Sequence, residues 1–300
     1  MKGVFYSVMA LMLLLPIVSY LVLYSDIIKS ENEELAQRIT GEKLASFSKS
    51  IDIDLEKALN IYARRSIGNA VAYIETNGTL IDNSNLRLKE LFTNSTIYGS
   101  AAPLNSSIYE WRDKIIIRGR QLGFDTTVNF TNIYFAPYDS FNVALNVSVI
   151  VNITAGDTTV YRNYNETVIV SIEDYEDPLY ALNTNGLVKN IIKKSSFSVT
   201  NATHLDNLTL KKLYLSSSDG PSFFDRLEGR LTASSTSNAI GLESIVYQPD
   251  LLAFGITPKS GQSYVDYLYF NNSVITGYPV NNSAISWLRI DNTHANLYGV

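Results

Sequence analysis

Phe141-Asn142-Val143-Ala144-Leu145-Asn146-Val147-Ser148-Val149-Ile150-Val151-Asn152-Ile153 carries an apolar residue at every odd position and mostly polar residues between them. A period of two places alternate side chains on opposite faces of a pleated chain, so this stretch reads as one long, half-buried strand. Gly156-Asp157 follows as a hairpin turn, and Val160 to Ile172 returns as its antiparallel partner. Just upstream, Val128 and Phe130 flank Asn129 in the same alternation. Residues 124–178 therefore form an antiparallel β region.

Before Gly123 the period is helical. From Asp26 to Thr76 there is no Pro, and Leu44, Phe47, Ile51, Leu55, Leu59 and Tyr62 recur in steps of three and four, continued by Ala63, Ser66 and Ala70. Asn77-Gly78 supplies a C-cap, and a break is expected near Gly41 or Asp52 to Asp54. Shorter helices are predicted over Asn85 to Phe92 and from Ser107, a candidate N-cap, to Leu122.

Farther upstream, Val4 to Tyr24 is a run of 21 uncharged residues behind Met1-Lys2-Gly3. As a helix it measures about 31 Å, the thickness of a bilayer's hydrocarbon core. Lys2 precedes it, whereas Asp26, Glu31, Glu33 and Glu34 outweigh Lys29 behind it. The expectation is a single-pass plasma-membrane protein, held in the bilayer through residues 4–24, with a cytoplasmic N-terminus and an extracellular C-terminal region.

Asparagine usage points the same way. The acceptor tripeptide N-x-S/T begins at Asn77, Asn94, Asn105, Asn129, Asn146, Asn152, Asn165, Asn201, Asn207, Asn271 and Asn281, where composition alone would give about five. Asn129, Asn146, Asn152 and Asn165 fall on the polar side of the strand alternation, the only side on which a glycan could sit.

Beyond Glu173-Asp174-Tyr175-Glu176-Asp177-Pro178 the pattern is broken by Ser216 to Pro221 and by Thr232 to Asn238, with a short helix over Phe223 to Arg230 between them. Gly241 to Gln248, Tyr264 to Phe270 and Ala284 to Asp291 read as β runs. The organisation expected is 1–25 anchor, 26–123 helical, 124–178 antiparallel β and 179–300 β-rich. The fold class is α+β: a transmembrane helix extended by amphipathic helices, then a mainly antiparallel, sandwich-like extracellular region.

Composition bounds the chemistry. The chain has no Cys and a net charge of −5, with Arg64-Arg65 and Lys193-Lys194 as isolated basic pairs, which argues against disulfides, thiol catalysis and nucleic-acid binding. His204 and His294 are its two histidines, and neither sits in a zinc spacing. Asp291-x-x-His294 could place two ligands on one turn, but such a pair is more often structural. The run Glu173 to Asp177 could bind Ca²⁺ but lacks the spacing of an EF-hand loop. No nucleotide, dinucleotide or hydrolase motif is present, so no catalytic, cofactor or metal residue is assigned.

Lys2-Gly3 followed at once by an apolar helix resembles the class III signal of archaeal type IV pilin-like proteins. The resemblance implies cleavage between Gly3 and Val4, an N-terminal helix packed in a filament core, and a β-rich, often glycosylated head. Phe5 and Val8 depart from the pattern, Val8 standing where bacterial pilins carry Glu, and 300 residues is large for a major pilin. The expectation is thus a non-enzymatic minor pilin or pilin-associated protein, with other pilin-like subunits as partners. The alternative is an anchored binding or adhesion ectodomain, and the third reading an ectoenzyme using Asp266, Asp291 or His294.

Overall fold

The computed structural model describes residues 2–234 and 240–300, without the side chains of residues 2–8, 10, 11 and 13. The chain opens with α1 (Lys2–Asn77), α2 (Ser84–Asn94), the short pair β1 (Thr96–Ile97) and β2 (Ser100–Ala101), and α3 (Ile108–Gln121). The long strands β3 (Asp125–Asp139), β4 (Asn142–Ala155) and β5 (Thr158–Ser171) follow. Then come α4 (Pro178–Asn183), α5 (Ala202–Leu210), β6 (Tyr214–Ser222), α6 (Phe223–Leu227), β7 (Gly241–Ser244) and α7 (Gln248–Ala253). The chain ends with α8 (Asp266–Phe270), β8 (Tyr278–Pro279), β9 (Arg289–Ile290) and α9 (Asn292–Tyr298). It is an α+β protein in which β3-β4-β5 form one sheet and β1-β2, β6-β7 and β8-β9 pair antiparallel.

The chain falls into two compact units. The first comprises Met1–Ile53, Ile115–Thr127 and Val151–Arg162, the second Asp54–Lys114, Val128–Ile150 and Asn163–Val300. Within the first, the Phe47 and Phe124 rings meet at 5.7 Å, and α3 lies so close to the start of β3 that a Cβ on Gly119 would stand 2.2 Å from Thr126 Oγ1. The second holds an apolar core that includes Leu179, Leu205, Leu208, Ile245, Val265 and Leu288.

Helix α1 runs without the expected break, and Gly78 ends it in the left-handed region (φ +64°), donating its N–H to Ile74 O. Its buried stripe, Leu44, Phe47, Ile51, Leu55, Leu59, Tyr62 and Ala63, is the one that the periodicity marks.

The membrane expectation is overturned: among the described residues no helix is long and apolar enough to cross a membrane. The described run from Leu14 to Tyr24 is apolar apart from Pro16 and Ser19. Asp26 follows, and the rest of α1 is amphipathic. This corrects the transmembrane anchor and the single-pass plasma-membrane placement with its cytoplasmic and extracellular sides. The cleavage position at Gly3 and Val4, and part of the 4–24 run, concern side chains outside the described residues.

In β4, Val143, Leu145, Val147, Val149, Val151 and Ile153 are buried, as the alternation requires. In β3 the buried positions are even at Thr126 and Val128 but odd at Ile133 and Phe135. Asn132, at φ +51°, lies at the change of phase, as a bulge residue does when it inserts one extra position.

The C-terminal β runs are shorter than expected. Gly241 to Gln248 keeps β7 alone, Ala284 to Asp291 keeps β9, and the last five residues of Tyr264 to Phe270 form helix α8, whose Leu268 and Tyr269 N–H groups both donate to Val265 O. Val265, Asp266, Tyr267, Tyr269 and Phe270 are all buried, so this aromatic run has no wet face and its apparent period of two carries no information.

Candidate functional site

Seven of the sequon asparagines, Asn77, Asn94, Asn105, Asn129, Asn165, Asn201 and Asn281, are exposed, and Asn146, Asn152, Asn207 and Asn271 are half-buried. Two of them form a reciprocal pair across β4 and β5. The Thr167 hydroxyl donates to Asn146 Oδ1 at 2.7 Å, and the Ser148 hydroxyl donates to Asn165 Oδ1 at 2.8 Å. Each sequon's hydroxyl thus holds the other sequon's carbonyl oxygen, as facing positions on antiparallel strands permit.

Asp291 and His294 belong to a buried charge cluster. Asp291 caps α9 by accepting from the Thr293 and His294 N–H groups, and it holds His294 Nδ1 at 2.8 Å. His294 Nε2 lies 3.1 Å from the Tyr267 hydroxyl and 3.5 Å from Glu243 Oε2, while Tyr298 donates to Glu243 Oε1 at 2.6 Å. Burial disfavours the imidazolium, but hydrogen bonds to Asp291 and Glu243 and their charges prevail, raising the His294 pKa to about 9. Burial likewise opposes the Asp291 carboxylate, and the His294 hydrogen bond and charge win, bringing its pKa down to about 2. Ser263 donates to Asp291 rather than to His294, so the serine-to-histidine contact on which nucleophilic catalysis depends is not formed here.

Strand β7 separates this cluster from a second one, because successive residues of a strand point to opposite faces. On the other face from Glu243, Ser244 donates to Asp266 Oδ2 at 2.8 Å. Arg226 Nη1 meets that same oxygen at 3.0 Å and Asp177 Oδ2 at 2.5 Å, and Arg226 Nη2 donates to Leu242 O. None of these three charged side chains is exposed at all. Burial pushes the Asp266 carboxyl up against the pull of Arg226. The acidic run is split: Asp177 turns inward as the N-cap of α4, whereas Glu173 and Asp174 stay in solvent. The sequence patterns do not single out Arg226 or Glu243 and place Asp177 only within an acidic run; an arginine inside the apolar segment Phe223-Phe224-Asp225-Arg226-Leu227 is the available signal.

A cleft of about 470 Å³ opens beside Glu243, walled by Phe141, Phe197, Tyr214, Ser216 and Tyr298. Among the described residues no three His, Asp or Glu side chains converge so as to hold a metal ion. His204 Nδ1 pairs with the Thr200 hydroxyl at 3.1 Å, remote in sequence and bonding from the His294 cluster.

The remaining candidate surface is the outer half of α1. Every described side chain from Leu14 to Ile39 is exposed, and between Leu14 and Tyr24 only Pro16 and Ser19 interrupt large apolar residues. Eleven successive positions cover the helix on all sides, so this segment has no polar face.

No protein-family model, curated protein or solved structure matches this chain.

Proposed function

We propose that this protein is a non-enzymatic, pilin-like filament subunit, most simply a minor pilin, that assembles through the outer half of α1. The observation that carries the reading is the exposure of Leu14, Leu15, Ile17, Val18, Leu21, Val22 and Leu23 around the whole circumference of one helix. A helix apolar on one stripe is satisfied by one neighbour; a helix apolar all round needs neighbours on every side. Copies of the same helix, packed in a bundle, supply that cover. The α+β head, in this reading sandwich-like, carries glycans on the polar face of β3-β4-β5, and Asn146 and Asn165 are acceptors on it.

The test is sedimentation and negative-stain microscopy of the full chain beside a chain lacking residues 1–39. Fibres or large oligomers formed by the full chain and lost on truncation support the reading. A full chain that stays monomeric at the same concentrations overturns it. N-terminal sequencing of protein from its native source adds an independent check, a start at Val4 marking pilin-type processing.

The cleft beside Glu243 favours a second reading, a binding or adhesion protein acting as a monomer. Substitutions in its wall that abolish adhesion while assembly is unchanged would select it.

A further inference from the structure

The outer half of α1 contains a seven-residue repeat. Leu14, Leu21, Ile28 and Leu35 stand seven residues apart, and Val18, Ser25, Asn32 and Ile39 follow each of them by four, so the two series fill the d and a positions of a coiled-coil heptad. The six aliphatic members are 41–58% exposed, and Ser25 and Asn32 are exposed between them. Pro16 falls at position f and Ser19 at position b, both off this seam. Between Ser25 and Ile39, five of the six outward b, c and f positions are polar, namely Asp26, Ser30, Glu33, Glu34 and Gln37, with Ile27 the sixth. Glu42 and Ser46, at the next d and a positions, end the seam.

The seam lies away from the face that α1 uses within its own unit. Leu44, Phe47 and Ile51 are buried, and Phe47 meets Phe124. At 3.6 residues per turn they stand roughly 130° around the helix from Leu35 and Ile39. A second helix can therefore lie on the seam without displacing those contacts.

The distribution of polar residues selects the occupant. Both Ser25 and Asn32 are at a, and all four d positions are aliphatic. In a parallel, in-register pair each a residue meets its own copy, so the Asn32 amides face one another, donor to acceptor. Antiparallel pairing would set a against d and bury the Asn32 amide on an aliphatic side chain, without a partner. Val18 and Ile39 at a, with Leu at three of the four d positions, favour two strands, and a single Asn at a fixes their register. Flanking g and following e positions pair Ile17 with Val22, Tyr24 with Lys29 and Glu31 with Ala36, so no like charges meet along the seam. Arg38, which would face Lys43 beyond its end, is held by Glu42 at 3.3 Å. At roughly 100 Å² for each aliphatic side chain, two copies remove about 1,200 Å² from water, the lower end of stable interfaces.

We infer that two copies of this chain pair through residues 14–39 as a parallel, in-register, two-stranded coiled coil, with Asn32 of each copy facing the other across the axis. The inference rests on the reading that copies meet through the outer half of α1, and it adds their number, direction and register. The apolar positions off the seam, among them Leu15 and Leu23, stay open to further helices.

The absence of Cys from the chain makes the register directly readable. Ser25→Cys and, separately, Ser30→Cys are introduced into the full chain and exposed to mild oxidation. Cysteines facing at an a layer fall within disulfide reach, whereas those at f point outward from the pair. The expected result is a disulfide-linked dimer from Ser25→Cys at roughly five times or more the yield from Ser30→Cys. Adding Leu21→Asp and Ile28→Asp, both exposed in the single chain, should lower that yield about tenfold. Equal yields at the two positions, no crosslink at Ser25→Cys, or a yield indifferent to the aspartates would overturn the inference. Sedimentation of the unmodified chain below the onset of fibres should give a dimer, and a monomer or a trimer would overturn the two-stranded pairing. The two readings fail separately: fibres without preferred crosslinking at Ser25→Cys would leave the filament reading and remove the coiled coil, whereas crosslinked dimers that never form fibres would do the reverse.

Discussion

Arg226 Nη1 lies 2.5 Å from Asp177 Oδ2 with both side chains wholly inside the protein. Asp266 completes the group on the same guanidinium nitrogen, so one buried cation holds α4, α6 and α8 to one another. A buried ion pair is weak evidence of net stability, but removing one partner leaves the others uncompensated.

Arg226→Met is therefore expected to cost about 3–5 kcal/mol in urea unfolding. Adding Asp177→Asn and Asp266→Asn to it should restore part of that loss, because the stranded carboxylates are then neutral. A cost below about 1 kcal/mol for the single change would mean that the cluster does not bear on folding.

His294 makes stability depend on pH in a defined window. Its folded pKa, about 9, stands above its ordinary 6.5, so the stabilisation is fully present below 6.5 and disappears as the pH rises through about 9. The magnitude is on the order of 3 kcal/mol. Asp291 acts at the other end: held at about 2 against an ordinary 3.8, it stabilises above 3.8, and that is lost as the pH falls through about 2. Thermal unfolding from pH 5 to 10 should show a fall on the alkaline side, and His294→Gln should flatten it.

Gly241→Ala should be among the most damaging small changes. A Cβ there would stand 1.9 Å from Gly220 O and 2.9 Å from Ser217 O, both backbone atoms of the strand with which β7 pairs. Neither can rotate away, so β6 and β7 must separate, at a cost of about 3 kcal/mol or more. A midpoint in urea equal to that of the parent chain would refute the close approach.

The reciprocal sequon pair gives a milder prediction. Thr167→Val removes the donor to Asn146 Oδ1 and should lower stability by about 1 kcal/mol, as should Ser148→Ala for Asn165. The facing geometry places the two changes in one interaction patch, so the double variant should deviate from additivity by about 0.5 kcal/mol or more.

What the amino-acid order determined by itself was local. The stripe from Leu44 to Ala70, the alternation from Phe141 to Ile153, the Gly156-Asp157 turn and the cap at Gly78 are each written within a few residues, because a helix or strand with one wet face must repeat its apolar residues at its own period. That rule fails where no face is wet. Tyr264 to Phe270 is buried on every side and became largely helix, and the outer α1 run is exposed on every side, so its apolar length alone suggested a membrane span that the described helix does not provide. The charge clusters were decided by tertiary structure alone. Asp177, Arg226 and Asp266 are 40 and 49 residues apart across their contacts. Electrostatic attraction acts through space between groups that the chain's hydrophobic collapse has already placed, and it leaves no periodic trace along the sequence.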